Sequence, residues 1–174
     1  MEFITASIFS SIYFVTSNRV IPSLLNAAFL SALAFTPVYN PLLLNKYITG
    51  YFVYDTITGH FFDRQNFNLL SGYMHHSVYL LLLFYIRQTN ESYLIPLLLP
   101  FEIPTFILDL KKLYKAPALN FLFGTSFVVY RVIYNIYVIR QTPPPYKWIS
   151  SLMLLLHIFW LHQWLKKQNQ NRGI

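Results

Sequence analysis

The sequence predicts an all-α fold: a polytopic transmembrane helix bundle of about six spans, preceded by a short N-terminal interfacial or partial helix. Three observations carry this expectation. The 174 residues are 55% hydrophobic and only 11% charged, where soluble domains carry roughly 25% charged residues. Apolar blocks long enough for a ~30 Å hydrocarbon layer follow one another along the chain. Short polar or proline-bearing breaks separate them, with no internal repeat and no low-complexity tract.

Residues 1–19 form the N-terminal element. Glu2 is its only charge before Arg19, and the block from Phe3 to Val15 is interrupted by Thr5, Ser7, Ser10 and Ser11. A secretory signal would need a positive n-region, so a helix lying in, or partly entering, the interface is expected instead. One transmembrane domain then covers residues 20–167, with spans at 20–38, 47–62, 69–86, 93–108, 118–139 and 148–165. The breaks between them are Pro37 and Pro41, Asp63-Arg64-Gln65-Asn66, Gln88 to Glu91, Lys115 to Pro117, and Pro143-Pro144-Pro145. Residues 168–174 form a tail.

The net charge of +7 follows the breaks. Basic residues fall singly or in pairs at the ends of apolar blocks, without the aromatic-interleaved basic stripe of a nucleic-acid binder. Arg19, Arg64, Lys111, Lys112, Lys115, Lys166, Lys167 and Arg172 fall on one side, against Lys46, Arg87, Arg140 and Lys147 on the other. The excess of Lys and Arg makes the first side, and with it the C-terminus, cytosolic. Without cysteine there is neither a disulfide framework nor a thiolate metal site. A Gly-rich phosphate loop and a G-x-S-x-G elbow are also missing, which removes the familiar soluble nucleotide and hydrolase chemistries.

Ionisable residues inside spans are costly, about 2.5–3.5 kcal/mol each on insertion scales, and mark sites or bundle interiors. Asp55 lies about seven residues before the cytosolic end of its span, ~10 Å deep. His75 and His76 reach that level in the next span, and Glu102 does so in the one after. Three helices thus bring acid and imidazole to one layer. Consecutive helical residues diverge by about 100°, so one histidine faces the cavity and the other orients it or a neighbouring helix. Tyr51 and Tyr54 offer hydroxyl donors nearby. The structural alternative is interhelical hydrogen bonding, worth about 0.6–2 kcal/mol per contact. Metal binding fits poorly, because adjacent histidines ligate badly together and the chain has five His in all.

Two further features need reasons. Arg131 lies about thirteen residues into its span, ~20 Å deep, too far in to snorkel; pairing with carbonyls or Asn135 and binding of a lipid head group are both open. His157 and His162, five apart, do not share a helical face. His162 with Trp160 and Trp164 fits an interfacial aromatic belt.

In order along the chain, "GYFVYDTI", the pair "HH", "FEIPTFILDLKKL" and "FGTSFVVYR" resemble the motifs of the TLC-domain family, which spans ceramide synthases, translocon-associated membrane proteins and smaller TLC-domain-containing proteins. The resemblance runs from about residue 20 to the C-terminus and is nearest to the smaller members. Gly50, Tyr51 and Asp55 match the family's Gly-Tyr and Asp, His75 and His76 its His pair, Glu102 the acid of its Glu-x-x-Thr-Pro-type segment, and Phe127 and Arg131 its Phe-x-x-x-Arg. Asp109 stands where smaller members often have Asn and Lys111 where they have Arg. Phe101 and Thr105 replace a His and an Asp of the ceramide-synthase motif.

The resemblance implies a protein of lipid metabolism in the endoplasmic reticulum or another endomembrane. Its partners would be membrane lipids such as a sphingoid base or phospholipid, with a homo-oligomer allowed. As an enzyme it would transfer an acyl group from acyl-CoA, a co-substrate and not a bound cofactor, to a lipid amine or hydroxyl. His75, His76, Asp55 and Glu102 would then be catalytic, and Tyr51, Tyr54, Asp109 and Arg131 substrate-binding. The other class is a non-enzymatic lipid sensor or regulator of membrane composition that uses the same pocket.

Overall fold

The computed structural model describes residues 1–37, 40–64, 67 and 69–172. Val38 at the expected end of the first span, Gln65 and Asn66 of the second break, and Gly173 and Ile174 of the expected tail lie outside the described residues. The described residues are helical almost throughout, and none is in a strand. Among the described residues three helices are long and apolar enough to cross a membrane: Ser92–Tyr114, Pro117–Gln141 and Pro144–Gln170. The chain divides into two compact units, Met1–Glu102 and Ile103–Ile174.

The first unit contains α1 (Glu2–Thr16), α2 (Val20–Leu33), α3 (Pro41–Phe62), a π-helical turn (Leu69–Met74) leading into α4 (His75–Gln88), and a 3-10 helix (Ser92–Phe101). α3 begins six residues before its expected span. Asn40 caps it by accepting a hydrogen bond from the Leu43 N–H, and Pro41 takes the first helical turn, where a missing N–H costs nothing. The 3-10 segment contains Pro96 and Pro100. Each removes a backbone donor and clashes with the carbonyl four residues back, so this stretch winds more tightly than an α-helix.

Far from standing apart, α1 packs on α3 with Thr5 and Phe9 buried. Glu2 pairs with Arg87 at the end of α4. At the other end of α1, Tyr13 and Phe14 meet Phe62. Gly50 permits the approach, since a Cβ there would lie 2.4 Å from the Glu2 carbonyl oxygen. Gly50→Val should therefore lower the unfolding free energy by about 1–3 kcal/mol, read as a lower thermal midpoint in detergent. A midpoint unchanged to within about 0.5 kcal/mol would mean that α1 does not need this contact.

The second unit holds most of α5 (Glu102–Tyr114), then α6 (Pro117–Ser126), a second π-helical stretch (Phe127–Ile133), α7 (Tyr134–Gln141) and the 29-residue α8 (Pro144–Arg172). Prolines expected as loop breaks start helices here too, Pro117 in α6 and Pro144 in α8. The core is Ile107, Phe123 and Phe127, with Trp160, Leu161 and Trp164 packed against it. Trp160 and Trp164 thus turn inward, while His162 is exposed.

Candidate functional site

In the first unit Asp55 and one histidine come together. Asp55 of α3 and His76 of α4 are both buried, and His76 Nε2 lies 3.3 Å from Asp55 Oδ2. Arg19, between α1 and α2, grips the same carboxylate with two N–H groups, Nε to Oδ1 at 2.9 Å and Nη2 to Oδ2 at 2.8 Å. Its Nη1 reaches Asp63 Oδ2 at 3.2 Å. This bidentate geometry is the strong form of a charge-assisted hydrogen bond, and it fixes the Asp55 carboxylate before His76 adds a contact.

The other imidazole nitrogen is also engaged. His76 Nδ1 lies 3.1 Å from Thr56 Oγ1, which in turn is 2.7 Å from the Phe52 carbonyl. With Nε2–H donating to Asp55, Nδ1 carries the lone pair and accepts from the Thr56 hydroxyl. That hydroxyl has one proton and two acceptors, Nδ1 and the Phe52 carbonyl. When it turns to the carbonyl, the Nδ1 lone pair becomes available to another proton. An imidazole held by a carboxylate on one nitrogen, with a releasable partner on the other, can act as a general base.

Aromatic rings enclose this group. Phe52 lies 5.1 Å from the His76 ring and stacks on Tyr79 at 5.2 Å. Phe67 lies 5.4 Å from His76 and carries the Arg19 guanidinium over its face at 4.8 Å. Gly59 leaves room for the Phe67 ring, which a Cβ there would approach to 2.3 Å.

The other expected site residues take different places. His75 packs its ring on Tyr79 at 4.7 Å and on Phe52 at 6.1 Å, a supporting position beside His76. Glu102 lines a slot with Leu30, Leu83, Leu99, Phe52 and Tyr79 that has about 10 Å³ of room, about one water molecule. The Phe52–Tyr79 stack therefore borders both the histidine pair and the Glu102 slot. Tyr51 and Tyr54 gather round Phe9 of α1, at ring distances of 5.2 and 5.6 Å, inside the α1–α3 packing.

In the second unit Arg131 is buried in the π-helical stretch. Its Nη2 donates to Thr105 Oγ1 at 2.7 Å, and Nη1 lies 3.3 Å from His157 Nε2. His157, wholly buried, has Nδ1 2.8 Å from the Arg131 carbonyl oxygen and 3.2 Å from Asn135 Nδ2. The carbonyl requires a proton on Nδ1, which leaves the Nε2 lone pair for the guanidinium. Asp109, also buried, accepts from Lys112 Nζ at 2.7 Å.

Sequence reasoning missed Arg19, Thr56, Thr105 and His157. Arg19 stands out only as a boundary charge. Thr56 follows Asp55 directly and is one helical turn after Phe52, whose carbonyl it binds; only that adjacency hints at it. Among the described residues no group of three or more His, Cys, Asp or Glu could hold a metal ion. Compared with protein-family models, with curated proteins and with solved structures, the chain matches none.

Proposed function

We propose that the chain is a bilayer-spanning protein of lipid metabolism of the TLC-domain type, which transfers an acyl group from acyl-CoA to a lipid amine or hydroxyl at the Asp55–His76 site. The observation that carries this reading is the imidazole held between the Asp55 carboxylate, 3.3 Å from Nε2, and the Thr56 hydroxyl, 3.1 Å from Nδ1. Thr56 swings to the Phe52 carbonyl and Nδ1 takes the proton of the attacking amine or hydroxyl. The nucleophile bonds to the thioester carbonyl carbon, the carbon–sulfur bond breaks, and the departing thiolate takes the proton back from Nδ1. Asp55 holds the tautomer and stabilises the transient imidazolium, and Arg19 holds Asp55. His75 supports the ring wall.

Purified full-length protein in nanodiscs, given acyl-CoA and a sphingoid base, should release free CoA. His76→Gln should lower that rate by about 10²–10⁴-fold, with a smaller effect for His75→Ala. Turnover that is indifferent to His76→Gln would remove the residue from the chemistry.

The second reading is a lipid sensor, favoured by the Arg19 clamp, which already balances Asp55, and by the narrowness of the Glu102 slot. It predicts no CoA release and saturable labelling of α3 or α4 by a photoreactive sphingoid base.

Six spans with a cytosolic C-terminus in an endomembrane belong to the same proposal, on the eight-to-four asymmetry of Lys and Arg. A tag after Ile174 should be cut by protease in sealed microsomes. Protection of that tag would reverse the topology.

A further inference from the structure

The second unit contains a cavity of about 560 Å³ that the acyl-transfer reading does not use. Its size lies in the ~300–1,000 Å³ range of small-molecule sites. α5, α6 and α8 build its wall, and its polarity is graded. At one end are Lys111, Lys167, Asn120 and Gln168; at the other are Phe127 and Trp160. From Lys167 back to Trp160 along α8, or from Asn120 on to Phe127, is about seven residues, ~10 Å of helix. The polar end lies where the apolar helices stop, since Ser92–Tyr114 ends just past Lys111, Pro117–Gln141 begins just before Asn120, and Pro144–Gln170 ends just past Lys167.

The polar end is organised. Lys111 Nζ donates to Asn120 Oδ1 at 2.6 Å, and Asn120 Nδ2 donates to Gln168 Oε1 at 2.7 Å. The ammonium group keeps two further donors for a ligand, and Lys167 adds a second cation. In the wall the Trp164 indole Nε1–H is buried without a hydrogen-bond partner among the described residues, although a buried indole N–H usually finds one.

Charge fixes the sign of the occupant. Residues 103–174 carry nine of the thirteen Lys and Arg but one of the six acids, and that acid, Asp109, is engaged by Lys112. The rings at the apolar end, Phe127 and Trp160, lie 6.0 and 5.8 Å from the His157 ring. Behind them Arg131 has only neutral partners among the described residues, Thr105 and His157. Lys111 and Lys167 thus stand at one end of an aromatic-walled cavity with no carboxylate in its lining.

We propose that this cavity binds the phosphate head group of an anionic lipid, with Lys111 and Lys167 on the phosphate and the first methylenes of the chain against Phe127 and Trp160. The shared chemistry is a phosphate group, which inorganic phosphate and acyl-CoA also present. The polarity gradient favours the lipid, because an ion without a chain leaves the aromatic end empty.

The chain has three tryptophans, of which Trp148 is largely exposed and two line the cavity. Full-length Trp148→Phe protein in phosphatidylcholine nanodiscs therefore reports the cavity by fluorescence. Phosphatidic acid with dibrominated chains should quench this emission saturably and at lower mole fraction than equally brominated phosphatidylcholine. Lys111→Gln with Lys167→Gln should weaken that preference roughly thirtyfold, at about 1 kcal/mol per cation, whereas Lys111→Arg with Lys167→Arg should keep it. If the glutamine variant does not fold, the lipid preference of the Trp148→Phe protein and its retention in the arginine pair still decide. Equal quenching by the two brominated lipids would overturn the proposal. A full emission change on adding inorganic phosphate or free CoA to discs without acidic lipid would overturn the lipid as occupant.

Discussion

Arg19→Leu should destabilise the first unit by about 3 kcal/mol or more, the largest effect expected from any single charge removal there. Arg19 makes two hydrogen bonds to the Asp55 carboxylate and one to Asp63, and the Asp55 side chain is 10% exposed. Removing one partner of a buried pair costs about 3–5 kcal/mol, because the other charge stays behind unpaired. Arg19 itself is 19% exposed, which places the expectation at the lower end. The change should appear as a fall in the detergent unfolding midpoint and as earlier proteolysis between α1 and α2. Asp55→Asn should cost a similar amount. Arg19→Leu with Asp55→Leu should cost clearly less than the sum of the singles, since no buried charge then lacks a partner. Additive losses would mean that the two side chains do not form the pair.

The same Arg19 shows where the sequence stops being legible. Its neighbours identify a boundary, and boundary arginines are ordinarily counted for topology. Its partner lies 36 residues on, a separation on which helical periodicity carries no information. Asp55 and His76 were legible for the opposite reason: both stand inside apolar blocks, where a polar side chain needs a reason, and the rise per residue puts them at one depth. Rise per residue gives level but not azimuth. It could not foresee that His76 would take the carboxylate while His75 turned to Tyr79, nor that Glu102 would line a slot bordered by Phe52.

Helix existence was readable from run length and composition, whereas helix ends were not. Prolines at 41, 117 and 144 read as breaks yet sit in first turns, where their missing N–H has no partner to lose. The helices consequently outrun their apolar cores. α1 was harder still, since four hydroxyl residues in a short apolar block suit an interface. In the structure the buried Thr5 returns its hydroxyl to the Met1 carbonyl four residues back, which lets the helix pack along α3 at little polar cost.

The second large effect lies in the other unit. His157→Leu should cost about 2–4 kcal/mol, from hydrogen bonds lost by a buried charged group, although the sequence presents His157 only as a residue five before His162. The substitution removes the acceptor 3.3 Å from Arg131 Nη1 and the donor 2.8 Å from the Arg131 carbonyl, leaving a buried guanidinium with Thr105 alone. Arg131 Nε already lacks a partner among the described residues, so little remains to absorb the loss. Arg131→Met should be nearly as severe, because it orphans His157 Nε2 and Thr105 Oγ1. Arg131→Met with His157→Leu should recover at least about 1–2 kcal/mol relative to the sum of the singles, since neither change then leaves the other side chain buried and unpaired. Unfolding of the three variants in one detergent, followed by tryptophan emission from Trp160 and Trp164, measures this. An additive double variant would show that Arg131 and His157 act separately. A His157→Leu protein as stable as the parent would show that the guanidinium is satisfied without the imidazole, and its burial would then need a ligand rather than a histidine to explain it.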